Sequence, residues 1–219
     1  MQGLFITGTD TGVGKTHVTT AALRALRKQG IRVGGYKPVC SGARPISPEG
    51  MTYCWDDVEQ IHAALGGEFP RELICPQTYF APLAPPIAAA QEGREVDAIA
   101  LRAGALAWRT GVVGSPPIEL LLVEGAGGFL SPITRFETNA DLAVDLQFPV
   151  VIVSPNRLGT INQTLLTIEA IRSRGLTVAG VVLNSLSPDD DGSREGNARE
   201  IQKFGGVNIL GELPFAGGY

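Results

Sequence analysis

Short, nearly unbroken apolar runs punctuate the chain: Leu4-Phe5-Ile6, Ile31 to Val39, Ile118 to Val123, Pro149 to Val153, Val178 to Asn184 and Val207 to Leu210. Runs of this kind suit parallel strands covered on both faces. Between them the apolar positions recur at helical spacing. The pattern predicts a first helix from about Lys15 to Gln29, with Val18, Ala22, Ala25 and Leu26 on one face and Gly30 at its end. It predicts others from Trp55 onward, over Val96 to Thr110, over Asn139 to Leu146 and over Ser193 to Phe204. One more follows Asn156, with Leu158, Ile161, Leu165, Ile168 and Ile171 as its apolar stripe. Residues 43–54 and the stretch from Gly66 to Glu95 read as loops, the longer one as a wall or lid over a site. Strands alternating with helices give an α/β class: a doubly wound, mostly parallel sheet with helices on both faces and right-handed crossovers. There is no internal repeat and no linker, so residues 1–219 read as a single domain.

One turn in this pattern carries chemistry. Between the first strand and the first helix stands Gly8-Thr9-Asp10-Thr11-Gly12-Val13-Gly14-Lys15-Thr16. Strand, glycine-rich turn, Lys-Thr and helix is the layout of a P-loop, so the fold is expected to be P-loop NTPase-like. The glycines let backbone N–H groups close on phosphate oxygens, and the helix start favours an anion there. Lys15 supplies a mobile charge for the β- and γ-phosphates, and the Thr16 hydroxyl a ligand for Mg²⁺. A strict signature has glycine where this chain has Thr9, so the loop is one residue longer. It is expected to bind a nucleoside triphosphate.

Composition narrows the classes. Net charge is −4, with 18% charged and 6% aromatic residues, which argues against nucleic acid or an anionic membrane as partner. No apolar run is long enough for a membrane span. The N-terminus opens into a strand rather than a secretory signal, and the three cysteines show no CxxC spacing. Both point to a cytoplasmic protein with reduced thiols. Two histidines exclude a His-rich zinc site and leave no evident Ser-His-Asp set. No G-x-G-x-x-G follows a strand, against nicotinamide binding.

Further candidates stand at strand ends, which share one edge with the P-loop in a doubly wound sheet. Lys37 and Ser41, in Lys37-Pro38-Val39-Cys40-Ser41-Gly42, read either as crevice residues or, for Lys37, as a solvated strand-end lysine. Asp56 or Asp57 is a helix cap or a metal-binding carboxylate. Glu124 ends an apolar strand ahead of Gly125-Ala126-Gly127-Gly128. It is placed to bind the metal on a triphosphate, or else to pair with a lysine.

These stretches together resemble the dethiobiotin synthetase family. The resemblance is carried by the P-loop, by Lys37-Pro-Val-x-Ser41-Gly and by Val123-Glu-Gly-Ala-Gly-Gly128. It extends through Asp57 at a helix start, Ala-Pro-x-Ala-Pro-Pro, Gln91-Glu-Gly-Arg, Leu158-Gly-x-Ile-Asn162, Val182-Leu-Asn184 and Gly211-Glu-Leu-Pro214. It implies ATP- and Mg²⁺-dependent closure of a ureido ring on 7,8-diaminopelargonic acid with CO₂, through a carbamate and its mixed anhydride with phosphate. Thr16, Glu124 and, by register, Asp57 then hold Mg²⁺. Lys15, Lys37, Thr11 and Ser41 serve the carbamate and the transferring phosphoryl group, with Gly127 and Gly128 close by. Gly12, Val13, Gly14, His17, Gly125 and Ala126 line the nucleotide, and Asn184, Ser185, Pro214, Phe215 and Ala216 its adenine. The resemblance also implies a homodimer, with Gly159, Thr160 and Asn162 receiving the substrate carboxylate from the neighbouring subunit.

Two other P-loop readings stand beside it. Partitioning ATPases, which are partner-binding switches, usually carry a second lysine early in the loop, and Thr9 to Val13 holds none. Amide-forming relatives acting on cobyrinic acid carry a glutaminase domain for which 219 residues leave no room.

Overall fold

The apolar runs become the strands of a parallel sheet in the computed structural model, which describes residues 2–46, 52–110, 117–189 and 192–215. The first half of the chain contains β1 (Gln2–Gly8), α1 (Lys15–Lys28), β2 (Val33–Tyr36) and three two-residue strands, β3 (Cys40–Ser41), β4 (Arg44–Pro45) and β5 (Tyr53–Cys54). It continues with α2 (Asp56–Ala64), α3 (Arg71–Ile74), β6 (Thr78–Tyr79), α4 (Pro85–Gln91) and α5 (Ala98–Thr110). The second half contains β7 (Leu120–Gly128), α6 (Asn139–Leu146), β8 (Val150–Pro155), α7 (Thr160–Ser173), β9 (Val178–Asn184), α8 (Arg194–Gly205) and β10 (Ile209–Leu213).

The main sheet runs β10-β9-β8-β1-β7-β2, and its neighbours pair in parallel. Phe5, Leu121, Val123, Ile152, Val153, Val181 and Leu183 are fully buried along it, which is why these strands lack polar alternation. Strand order reverses at β1, between β7 and β8. A reversal of this kind opens a crevice at the carboxyl ends of the strands, where the P-loop, Lys37 and Glu124 all emerge. Among the described residues no helix is long and apolar enough to cross a membrane.

Several elements differ from the sequence reading, each for a local reason. The strand expected to end at Glu124 runs on to Gly128. A register irregularity lets Ile6 face Glu124 and Gly8 face Gly128, so the strand rejoins the ladder at Gly128. The last strand lies later than Val207–Leu210 because Gly211, Glu212 and Leu213 pair with Val182, Leu183 and Asn184. The stretch from Gly66 to Glu95 is not a plain loop, since α3, β6 and α4 lie in it. Pro85 and Pro86 open α4, where the missing N–H groups are no loss.

The apolar faces shift too. On α1 the buried face carries Val18, Thr19, Thr20 and Leu23, with Ala22 and Leu26 half-buried against the core and Ala25 exposed. Leu158 is 80% exposed, because α7 begins only after Gly159 turns the chain with a φ of 91°. The face of α7 that packs inward carries Thr160, Thr164 and Thr167 beside Ile168 and Ile171. Two of these hydroxyls bond Ser154 of β8, at 2.6 Å from Thr160 and 2.9 Å from Thr164.

Candidate active site

The P-loop is built by glycine conformation and side-chain bracing. Gly12 and Gly14 have φ of 73° and 87°, a region that disfavours other residues. Gly14 is constrained a second time, since a Cβ there would stand 2.1 Å from Asn184 Nδ2. That Asn184 amide donates to the Val13 carbonyl at 3.1 Å, tying the loop to the end of β9. Thr9, in place of the signature glycine, sets its hydroxyl 3.3 Å from Ser154 Oγ on β8. Lys15 folds back over the loop and donates to the Asp10 carbonyl at 3.1 Å.

At the crevice floor four side chains meet. Lys37 Nζ lies 2.6 Å from Asp57 Oδ2 and 2.6 Å from Glu124 Oε1. Thr16 Oγ1 donates to the same Glu124 oxygen at 2.7 Å. Glu124 is fully buried, and its Oε2 has no hydrogen-bond partner among the described residues. Burial works against the Lys37 charge, but Asp57 and Glu124 outweigh it and hold its pKa well above the ordinary lysine value. The Lys37 charge in turn keeps the Asp57 carboxyl below the ordinary range, with a contribution from the Thr16 hydroxyl. Asp56, by contrast, pairs with Arg44 on the surface. The structure therefore separates two acids that the helix start left equivalent.

These groups line a cavity of about 470 Å³. Thr11, Gly12, Gly14, Lys15, Thr16, His17, Lys37, Ser41, Asp57, Glu124, Ala126 and Gly127 all face it. Ser41 Oγ also donates to the Leu83 carbonyl at 2.6 Å, which fastens the proline-rich 81–84 segment beside the opening. Val39, Cys40, Gln60 and Leu186 line it as well and were not singled out in the sequence. Gln60 had a usable signal, standing three residues after Asp57 on one helix face. Burial pushes the Cys40 thiol up to about 12, so it stands there as a neutral wall.

Other predicted residues lie behind the wall or away from it. Val13 is buried, and Gly125 packs where a Cβ would meet Asn139 Oδ1 at 2.8 Å. Asn139 is a support that sequence reasoning missed. Its amide donates to the carbonyls of Ala126 at 2.6 Å and Gly128 at 2.9 Å, and its Oδ1 accepts from Ala126 N at 3.0 Å. It thereby fixes the glycine-rich end of β7. Gly128 faces a neighbouring groove with Thr9, Asp10 and Gln163 instead of the crevice. Ser185, Pro214 and Phe215 do not line the crevice, and Ala216 lies outside the described residues. Gly159 caps α7, Thr160 is buried against Ser154, and Asn162 is exposed; none of the three faces this chain's own cavity.

Lys15 gives the crevice a pH signature. Burial, and then the Lys37 charge, push its pKa down to about 8 in the nucleotide-free protein. Its charge is present below that pH and is lost as pH rises through it. If triphosphate binding needs the ammonium, affinity is expected to fall about tenfold per pH unit above pH 8. Binding there is also expected to take up a proton. Calorimetry with ATP in two buffers of different ionisation enthalpy checks both, and a flat affinity profile with no proton uptake would contradict the expectation.

Comparison with known proteins bears on the whole chain. The family model described as an AAA domain matches residues 2–217. An ATP-dependent dethiobiotin synthetase BioD of Anaeromyxobacter dehalogenans is 47% identical over 98% of this chain and 91% of its own length. Proteins of the same name from Bacillus cereus and Rhodopirellula baltica are 37% and 35% identical. They cover 100% and 95% of this chain and 85% and 82% of their own lengths. Among solved structures, the MinC:MinD cell division protein complex of Aquifex aeolicus matches with a TM-score of 0.55 at 18% identity, over 99% of this chain and 82% of that one. That likeness is one of fold alone. The identities to the synthetases span nearly the full length of both partners, and the chain belongs to the dethiobiotin synthetase family.

Proposed function

We propose that this protein closes the ureido ring of dethiobiotin from 7,8-diaminopelargonic acid, CO₂ and ATP, acting as an ATP-dependent cyclo-ligase. The observation that carries the chemistry is the meeting of Lys15, Lys37, Thr16, Asp57 and Glu124 around one crevice beside the P-loop. No nucleophile poised for covalent catalysis is needed, because phosphoryl transfer depends on positioning and charge neutralisation.

In this reading one substrate amine adds as its free base to the carbon of CO₂ and gives up a proton to become a carbamate. A carbamate oxygen attacks the γ-phosphorus, the bond to the bridging oxygen breaks and ADP leaves. The second amine then attacks the carbonyl carbon, the C–O bond to phosphate breaks, and the ring closes with loss of a proton. Lys15 lies over the loop that binds the phosphates and carries charge to the transferring group. Lys37 stabilises the carbamate and the charge that develops on it. Thr11 and Ser41 hydrogen-bond the carbamate, and Gly127 brings backbone close to it.

The donor set also fits a divalent ion. Among the described residues no three His, Cys, Asp or Glu side chains gather into a metal cage. Two carboxylates and a hydroxyl are instead what Mg²⁺ takes when substrate phosphates complete its shell. The orphaned Glu124 Oε2 leaves buried oxygen capacity for it. Thr16, Asp57 and Glu124 would hold the ion, whose part is to neutralise phosphate charge. We further place the enzyme as a homodimer, with Gly159, Thr160 and Asn162 of the partner subunit near the substrate carboxylate. Exposed Leu130, Leu158 and Leu166 supply apolar surface for such a contact.

Incubation with 7,8-diaminopelargonate, bicarbonate and Mg-ATP, read by mass spectrometry, tests the reaction. The expected result is a product of dethiobiotin mass and phosphate release that needs the diamine. Equal phosphate release without the diamine would favour an ATPase switch instead.

A further inference from the structure

Thr16, Asp57 and Glu124 are the three side chains assigned above to the divalent ion, and in this structure both carboxylates turn toward one ammonium group while the Thr16 hydroxyl bonds one of them. Lys37 Nζ touches both carboxylates at 2.6 Å, and Thr16 donates to the Glu124 oxygen that Lys37 uses. Lys37 and Glu124 are almost wholly buried, and solvent reaches these charges only from the side of Asp57, whose side chain is 38% exposed. A lysine ammonium is a compact point charge with three donors, the closest that a side chain comes to a small hard cation.

The pairing has two consequences. Glu124 and Asp57 cannot bind an ion fully while the ammonium stands between them. Equally, Lys37 cannot serve a carbamate or phosphoryl oxygen while both carboxylates hold it. Expelling the ammonium without a new partner would leave a buried charge unpaired, which is strongly unfavourable. A triphosphate or carbamate supplies the new partner.

We propose that the Lys37 ammonium and the divalent ion are alternative occupants of one site, so that loading the ion is what frees Lys37 for the reaction. This rests on the reading of Thr16, Asp57 and Glu124 as ion ligands. Lys37 is thus a built-in counterion that neutralises the acids when no ion is bound. Ion and triphosphate then bind with positive cooperativity, because each offers a partner to a group the other displaces.

The test reads binding of Mn²⁺ alone to nucleotide-free protein, through loss of the free-ion electron paramagnetic resonance signal. Lys37→Met removes the competing charge and keeps much of the side-chain length. It is expected to bind Mn²⁺ at least about tenfold more tightly than the wild type, as removal of an internal competitor requires. Adding Glu124→Gln to that variant is expected to abolish the gain, which places the ion at this site. Mn²⁺ binding to Lys37→Met that is unchanged, weaker or absent overturns the proposal. So does a gain that survives Glu124→Gln.

Should Lys37→Met fail to fold by circular dichroism, Lys37→Gln, which also removes the charge, takes its place with the same expected gain. A folded Lys37→Gln that binds Mn²⁺ no more tightly than the wild type overturns the proposal. The readout uses neither the diamine nor bicarbonate. A protein that makes no dethiobiotin can pass, and one that makes it can fail, so the two readings are tested separately.

Discussion

The Lys37→Ala protein is expected to turn over at least about two orders of magnitude more slowly than the wild type at saturating ATP, diamine and bicarbonate. Removing one preorganised group that stabilises charge in the transition state costs about 2.7–4 kcal/mol, or roughly a hundred- to thousandfold in rate. Lys37 is well suited to such a role. It emerges from the end of β2, is held by backbone bonding of its own N to the Ile74 carbonyl at 2.8 Å, and keeps its proton because two carboxylates face it. The loss should fall on kcat more than on the KM for ATP, since Lys15 and the loop backbone remain to hold the phosphates. Alanine also leaves Asp57 and Glu124 without their common cation, so thermal unfolding should be followed with and without Mg²⁺. A folded Lys37→Ala enzyme with turnover within tenfold of the wild type would remove Lys37 from the reaction.

What the sequence made legible was local. The P-loop could be read because strand, glycines, Lys15 and Thr16 lie within one short stretch, and their chemistry depends on backbone conformation there. Lys37 and Glu124 could be read because a charged residue at the end of a buried strand lands at the sheet's carboxyl edge whatever the rest of the chain does. Asp56 and Asp57 could not be told apart from local signals. Both suit a helix start, and the choice is made by partners far away in sequence: Arg44 takes one, Lys37 the other.

Tertiary pairing also overrode local signals elsewhere. The glycines after Glu124 read as a strand end, yet β7 continues because β1 is there to pair with it and Asn139 holds the turned carbonyls. Leu158 looked like the start of an apolar stripe, but Gly159 places it before the helix, and threonines bonded to Ser154 take the inner face. A hydroxyl that is buried with its partner satisfied has no periodic signature. Asn184 shows the same limit. Its side chain reaches the Val13 carbonyl and packs against Gly14, a long-range brace on the P-loop that no local signal announces.

Glu124→Ala is expected to lower turnover by at least about two orders of magnitude as well, for a different reason. The substitution removes a proposed ion ligand, one of two anions that hold Lys37, and the acceptor of the Thr16 hydroxyl. It should therefore lower stability too. Breaking a buried ion pair from one side costs about 3–5 kcal/mol, and Asp57, which still faces Lys37, should keep the loss near the lower end. Glu124→Gln separates the two effects. Its amide oxygen can still accept from Thr16 and fills the same space, so urea unfolding should show much of the stability restored. It brings no charge to the ion or to Lys37, so turnover should stay close to that of the alanine variant. Turnover of Glu124→Gln within tenfold of the wild type would mean that the carboxylate charge is not used. If stability and turnover instead recovered together, Glu124 would be a packing and pairing residue, and the ion would have to be held elsewhere in the crevice.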